Sequence, residues 1–469
     1  MNKIFPSAEE AIRDVKDGAS IIFGGIGSPY TAPSTLIQAL KNKGVKNLTA
    51  ICNLLGFGPT NPIILAEDKQ IKKLIACFGG VAGFPTKIEE QIGSGEVEFE
   101  LVSQGLLCER LRAGGAGIPA FYSPTGVGTI VESGKEKRTF GGREYLLETA
   151  LTADFAFITA HKADTLGNLV YRGSSRNFNP VYATAAKVTI AEVEEIVDAG
   201  VIDPNQVVTP GIYVDRIIKT QLDRRAVGLA ALSLTGVRRQ VMGEPIHRPG
   251  KKPSLSRELV AMRVAQEFKD GQWVNLGVGM PALVSQFIPN NVQLHTEIGI
   301  LAFGPPTKTK EEIDVDVFGA SVEHLTLKPG TSFCSNLEAF AMARGGRVNA
   351  VVLGAFQVSE KGDLANLWTQ KMKAPGVGGA MDLVVGGARV IVAMEHLSED
   401  GKPKIVKECT YALTAPRCVS LIVTDLAVIE VTERGLVLKE VAPGWTAEEV
   451  QRLTEAKLIV APDCHEISL

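Results

Sequence analysis

Short apolar runs alternate with amphipathic stretches along the whole chain. Ser20-Ile21-Ile22-Phe23, Thr49-Ala50-Ile51-Cys52 and the alternating Val97-Glu98-Phe99-Glu100-Leu101 have the length and side-chain character of strands. Between them, Ser34 to Leu40 and Ile88 to Ile92 space their apolar positions at helical intervals. Further on, Trp273 to Leu276 and Val292 to Thr296 read as strands, with a helical run through Phe287 between them. Leu383-Val384-Val385 also reads as a strand. Strands that alternate with helices predict an α/β fold with mostly parallel sheets.

The pattern occurs twice. Lys16-Asp17-Gly18 precedes a strand that ends at Gly24, and Lys269-Asp270-Gly271 precedes one that ends at Gly277. Leu111-Arg112-Ala113-Gly114-Gly115 has a counterpart in Ala343-Arg344-Gly345-Gly346. Asp164-Thr165-Leu166-Gly167-Asn168-Leu169 has one in Asp363-Leu364-Ala365-Asn366-Leu367. Three echoes in the same order predict two related open α/β domains, residues 1–238 and 256–469. The join, 239–255, holds prolines, glycines and charges in a composition that suits a linker.

Composition narrows the function classes. The 469 residues carry 49 Lys and Arg against 52 Asp and Glu, a net charge of −3, so no general basic surface for nucleic acid or anionic lipid is expected. Aromatics at 6% argue against stacking on single-stranded nucleic acid. Ala226 to Val237 is apolar but too short to span a bilayer, and is expected to be a packed helix. No apolar run follows the first charged residues, so no secretory leader is expected. Seven cysteines without a C-x-x-C pair predict neither a zinc site nor a disulfide framework, and fit a reducing cytoplasm.

The candidate chemistry lies in the second half. Gly277-Val278-Gly279-Met280-Pro281-Ala282 follows a strand, and Pro281 suits the first turn of a helix whose N–H groups would face an anion. The next strand runs into Glu297, a lone carboxylate followed by the uncharged Ile298 to Phe303. Glu297 is therefore expected to be buried at the carboxyl end of a strand, where open α/β sheets form their binding crevice. Two readings stay open at this point. Gly277-x-Gly279-x-x-Ala282 with an acid about 20 residues on fits a dinucleotide fingerprint, which makes Glu297 a ribose ligand in an NAD(P)-dependent oxidoreductase. Alternatively, a desolvated carboxylate beside hydrogen-bond donors is a nucleophile for acyl transfer. Gly378 and Gly379, in Gly376-Val377-Gly378-Gly379-Ala380-Met381-Asp382, permit close approach of backbone to ligand. Gln104, after a first-half strand, offers an amide to a polar ligand.

These motifs together resemble the 3-oxoacid coenzyme A-transferases of the succinyl-CoA:3-ketoacid type, with both subunits fused. The likeness rests on Gly24-Gly25, Gln104-Gly105, Arg110 to Gly117, Pro124 to Thr129, Ala163-Asp164, Gly167 to Leu169 and Arg176-Asn177-Phe178-Asn179-Pro180. In the second half it rests on Val274 to Pro281, Thr296-Glu297 with Gly299, Arg344 to Gly346, Gly362 to Asn366 and Gly376 to Leu383. The resemblance implies CoA transfer from an acyl-CoA to a free carboxylic acid, by a ping-pong route through a glutamyl-CoA thioester. It places the nucleophile at Glu297, and the oxyanion and CoA-positioning groups at Asn275, Gln104 and the Gly379 backbone. Asn366 matches a further site asparagine. It also implies no metal, no cofactor beyond CoA as co-substrate, and a homodimer or homotetramer. A non-catalytic acyl-CoA or sugar-phosphate sensor on the same fold is the other alternative, although no basic helix-turn-helix segment accompanies it. Three departures stand out. Ile298 replaces the family's Asn before Gly299, a lysine is replaced within Phe318 to Ser321, and an Asn-Asn pair becomes Asn53-Leu54. They predict a changed acid, apolar or short-chain, in place of the succinate–acetoacetate pair. Gly354 to Val358 and Glu408 to Tyr411 also resemble the 3-oxoadipate members.

Overall fold

A computed structural model describes residues 3–28, 30–80, 86–224, 226–227, 252–309, 311–321, 323–368 and 374–469. Most of the linker, and Ala226–Val237 beyond Val227, lie outside the described residues.

The first half is built on strands β1 (Ser20–Phe23), β2 (Leu48–Cys52), β3 (Ile71–Ala76), β4 (Glu98–Leu101), β5 (Ala153–Asp164), β6 (Ala186–Val197) and β7 (Arg216–Lys219). They lie in the order β7-β6-β5-β1-β2-β3-β4, all parallel, and Leu169–Val170 adds a short antiparallel strand against β5. The second half has β8 (Trp273–Leu276), β9 (Gln293–His295), β10 (Ile300–Leu301), β11 (Ser332–Phe333), β12 (Ala350–Leu353), β13 (Arg389–Met394), β14 (Val419–Thr424), β15 (Ala427–Thr432), β16 (Gly435–Val441) and β17 (Leu458–Glu466). Their order is β11-β10-β9-β8-β12-β13-β14-β15-β16-β17, with β9, β8, β12, β13 and β14 parallel.

The continuous apolar runs are explained by burial on both faces. In β1, Ile21 and Phe23 enter one apolar cluster while Ile22 enters the other. In β12, Val351 and Leu353 face one cluster and Val352 the opposite one. The repeat is topological as well as sequential. In each half the first strand sits where the strand order reverses: β1 between β2 and β5, β8 between β9 and β12. Such a reversal opens a crevice at the strand carboxyl ends, and Gly24 and Gly277 occupy those ends.

Helix α1 (Ser34–Lys43) matches expectation. Gln104 opens helix α2 (Gln104–Gly115). One local expectation is corrected. Leu383-Val384-Val385 is not a strand, because helix α5 (Ala380–Val384) runs through it and the strand comes later as β13. A short apolar run does not distinguish the two states, and Gly379 at the helix start with Ala380 and Met381 behind it tips this one to helix. The helix after β8 is also shorter than its pattern: α3 (Met280–Leu283) passes into a 3₁₀ turn at Val284–Gln286. The remaining helix that matters here is α4 (Asn336–Arg344), with Ser335 and Glu338 forming a capping box.

The halves are packed together. Ile298, Val315 and Phe318 of the second half belong to an apolar cluster otherwise made of first-half residues such as Leu107, Phe178 and Tyr182. Among the described residues no helix is long and apolar enough to cross a membrane.

Candidate active site

Strand β9 ends at His295 and the chain reverses at once. Gly299 N–H donates to the Thr296 carbonyl at 3.1 Å, and Thr296 N–H donates to the Ile300 carbonyl at 3.1 Å. Gly299 has φ +98°, and a Cβ there would lie 2.1 Å from the Cys334 carbonyl oxygen, so only glycine fits. The turn sends Ile298 into the first-half core and leaves Glu297 just past the end of β9, 8% exposed.

Asn275, on β8, donates from Nδ2 to Glu297 Oε2 at 3.2 Å. The same nitrogen faces His295 Nδ1 at 3.1 Å. His295 Nε2 lies 3.1 Å from the Ala339 carbonyl, which only accepts, so the proton is on Nε2 and Nδ1 is an acceptor. Burial pulls the His295 pKa down to about 4, so the ring is neutral at physiological pH. Every neighbour of Asn275 Nδ2 is an acceptor, which fixes the amide's orientation. Burial pushes the Glu297 pKa up, while a hydrogen bond from its own backbone and the Asn275 amide act against this. The carboxylate is thus desolvated but still held by donors.

A second group forms across the halves. Gln104 N–H donates to the Gly378 carbonyl at 2.9 Å, and Gln104 Nε2 donates to Asn53 Oδ1 at 2.8 Å. A Cβ on Gly379 would lie 2.8 Å from Gln104 Oε1 and 2.7 Å from Phe340 Cζ. Helix α4 joins the two groups. Its Ala339 carbonyl meets His295, its Phe340 ring meets Gly379, and Cys334 N–H just before it donates to the Gly299 carbonyl at 2.8 Å. The buried face of α4 is Asn336, Ala339, Phe340 and Ala343. Asn336 is the polar member of that face. It is 0% exposed, and neither side-chain atom has a hydrogen-bond partner among the described residues.

The pattern of the coenzyme A transferase family matches residues 5–220 and 257–453. The chain belongs to this family. It is 41% identical over 478 residues to mouse succinyl-CoA:3-ketoacid coenzyme A transferase 2A, mitochondrial, covering 97% of this chain and 89% of that one. It is 39% identical over 483 residues to human succinyl-CoA:3-ketoacid coenzyme A transferase 2, mitochondrial, covering 98% and 90%. One chain of the probable succinyl-CoA:3-ketoacid coenzyme A transferase of Bacillus subtilis is 48% identical over 237 residues, 49% of this chain and 98% of that one. The crystal structure of an acyl-CoA transferase from Escherichia coli O157:H7, in thioester complex with CoA, superposes on the whole chain with a TM-score of 0.78 at 20% identity and shows the shared fold.

As a CoA transferase, the protein moves CoA between an acyl-CoA and a carboxylic acid, which sets aside the oxidoreductase and sensor readings. The glycines of the dinucleotide-like motif also shape the backbone. Gly277 lets β8 approach β12, since a Cβ would lie 3.1 Å from the Val352 carbonyl, and Gly279 (φ +87°) starts α3. Both follow Asn275 on the same strand end. Asn366 Nδ2 donates to the Gly354 carbonyl at 3.0 Å, just past the end of β12, and its Oδ1 accepts from Thr414 Oγ1 at 2.6 Å. Sequence reasoning missed Asn53 as a partner of Gln104, and missed Asn336 and Asp382. The one available signal was the isolated polar position at the start of an apolar helix face. Among the described residues no group of three or more His, Cys, Asp or Glu side chains could hold a metal. A polar cleft of about 360 Å³ lined by residues such as Arg172, Glu194, Arg224 and Asp316 does not include Glu297.

Proposed function

We propose that the transferase works by double displacement on Glu297. The carboxylate attacks the thioester carbonyl of an acyl-CoA, giving a mixed anhydride and CoA thiolate. The thiolate then attacks the glutamyl carbonyl, which releases the donor acid as its carboxylate and leaves CoA as a thioester on Glu297. An acceptor carboxylate runs the same steps backwards and leaves as its CoA ester. No electron or net water is exchanged. Each step needs donors for a developing oxyanion and a site that excludes water, which would hydrolyse the anhydride. The observation that carries this reading is the state of Glu297: buried, at the end of a strand, and gripped by the Asn275 amide at 3.2 Å. Gln104, the Gly379 backbone and Asn336 are the donors we assign to the oxyanions. The protein needs no cofactor beyond CoA as co-substrate.

For the substrates, the names of the whole-length relatives support succinyl-CoA as donor and a 3-oxoacid as acceptor. The sequence departure at Ile298 does not speak against this, because that side chain packs in the apolar core at 3% exposure. We further propose a homodimer or homotetramer, working in the cytoplasm.

The test is addition of succinyl-CoA, borohydride reduction and mass mapping. Reduction is expected at Glu297 in the wild type and absent from Glu297→Ala. Label at another residue, or none, sinks the mechanism. A panel of acids then decides the substrates: acetoacetate and succinate should form the best pair, and a higher rate with an apolar short-chain acid would restore the contrary expectation.

A further inference from the structure

Asp382 follows the glycine turn of the second half by three residues, and nothing around Glu297 needs it directly. It is nevertheless 0% exposed, a costly place for a carboxylate unless its partners hold it. Those partners lie mostly in the other half. Asp382 Oδ2 accepts from Gly105 N–H at 2.9 Å, within the first turn of α2, and Oδ1 accepts from Thr125 Oγ1 at 3.1 Å. A carboxylate at a helix N-terminus is favoured both by the free N–H groups and by the helix dipole. Arg344 of α4 closes the arrangement. Its Nη1 lies 3.6 Å from Asp382 Oδ1 and its Nη2 pairs with Glu109, one turn further along α2. The fit is steric as well: a Cβ on Gly105 would sit 2.4 Å from Asp382 Oδ1 and 2.7 Å from Arg344 Nη1.

The two residues so joined, Gly105 and Asp382, flank the donors assigned to the oxyanions. Gln104 precedes Gly105 directly. Gly379 is tied to Asp382 through the Asp382 N–H, which donates to the Gly379 carbonyl at 3.0 Å. We infer that Asp382, with Arg344, is a positioning residue that clamps the start of α2 to the Gly378–Gly379 turn and so fixes the spacing between the Gln104 amide and the Gly379 N–H. The inference rests on the transfer mechanism proposed above. An oxyanion hole shared between two halves of a chain has no covalent geometry to set its width, and a donor displaced by about 1 Å can cost about 100-fold in rate. The buried carboxylate supplies that constraint without touching substrate.

Two variants test it. Asp382→Asn keeps the shape and removes the charge. Gly105→Ala keeps the charge and pushes the carboxylate away. Both are expected to lower kcat for thioester formation by about 10- to 100-fold, with KM for acyl-CoA within about threefold. Both should also raise the share of acyl-CoA lost to hydrolysis at each turnover, because a loosened hole holds the anhydride longer. The rates are normalised to folded protein by circular dichroism, which separates the clamp from simple destabilisation. If both variants keep kcat within threefold of wild type, or lose only as much activity as folded protein, the clamp is refuted. A wild-type enzyme that forms no thioester at Glu297 would instead overturn the mechanism itself, and the clamp with it.

Discussion

At the scale of single residues, the site is a set of buried polar groups left in states the fold does not favour. Glu297 is the sharpest case. Its pKa in the folded protein is raised by burial above the unfolded value of about 4.3. The folded state therefore favours the protonated acid, and this contribution is full below about pH 4 and lost as pH rises through the folded pKa. At neutral pH the ionised carboxylate costs stability. Glu297→Gln should then melt at a higher temperature than wild type at pH 7.5, with the gap closing towards pH 4, as scanning calorimetry at several pH values would show. A lower melting temperature at pH 7.5 would mean that the carboxylate is net stabilising and not held in reserve for chemistry. Asn336 gives a second case. Its amide has no partner among the described residues, so Asn336→Leu removes no hydrogen bond seen there and should leave the melting temperature unchanged or higher. Thioester formation should slow by about 10-fold or more. Lost stability with full activity would assign the amide to the fold.

At the scale of elements, the turn between β9 and β10 places Glu297. Gly299→Ala combines a positive φ of 98° with a Cβ 2.1 Å from a backbone oxygen that cannot swing aside. We expect it to cost about 1–3 kcal/mol in urea titration and to abolish labelling of Glu297, since the turn must open to admit the methyl. Unchanged stability would show that the turn is looser than its geometry. The same scale explains what the sequence could reveal. Parallel strands buried on both faces announce themselves as short apolar runs, and Glu297 stood out as one acid inside such a run. Element ends were less legible. Gln104 opens a helix because Asp382 caps it from 277 residues away, and Gln104 finds Asn53 at a separation of 51. No local pattern encodes partners at that distance. Asn366 likewise finds its partner Thr414 at a separation of 48.

At the scale of the whole molecule, the proposed site draws on both halves. Glu297, Asn275 and Asn336 come from the second half, while Gln104 and Asn53 come from the first. The join is made of specific contacts. Ile298, Val315 and Phe318 enter the first-half core, Arg224 Nη2 pairs with Asp316 at 2.9 Å, Arg344 pairs with Glu109, and Gly79 N–H donates to the Pro375 carbonyl at 2.9 Å. These contacts do not use the segment between 228 and 251. Residues 1–227 and 252–469 produced as two chains in one cell should therefore associate, co-purify and form the thioester at Glu297. The second half alone carries the nucleophile but lacks Gln104, and it leaves Ile298 and Phe318 uncovered. It should aggregate or, where soluble, show no borohydride reduction at Glu297. Adding the first half should restore labelling in a saturable way, which titration would read as an affinity between the halves. Labelling of the isolated second half at the full rate would show that the first half contributes no catalytic donor. Failure of the halves to associate would show that the join depends on the covalent link and not on the packed residues named here.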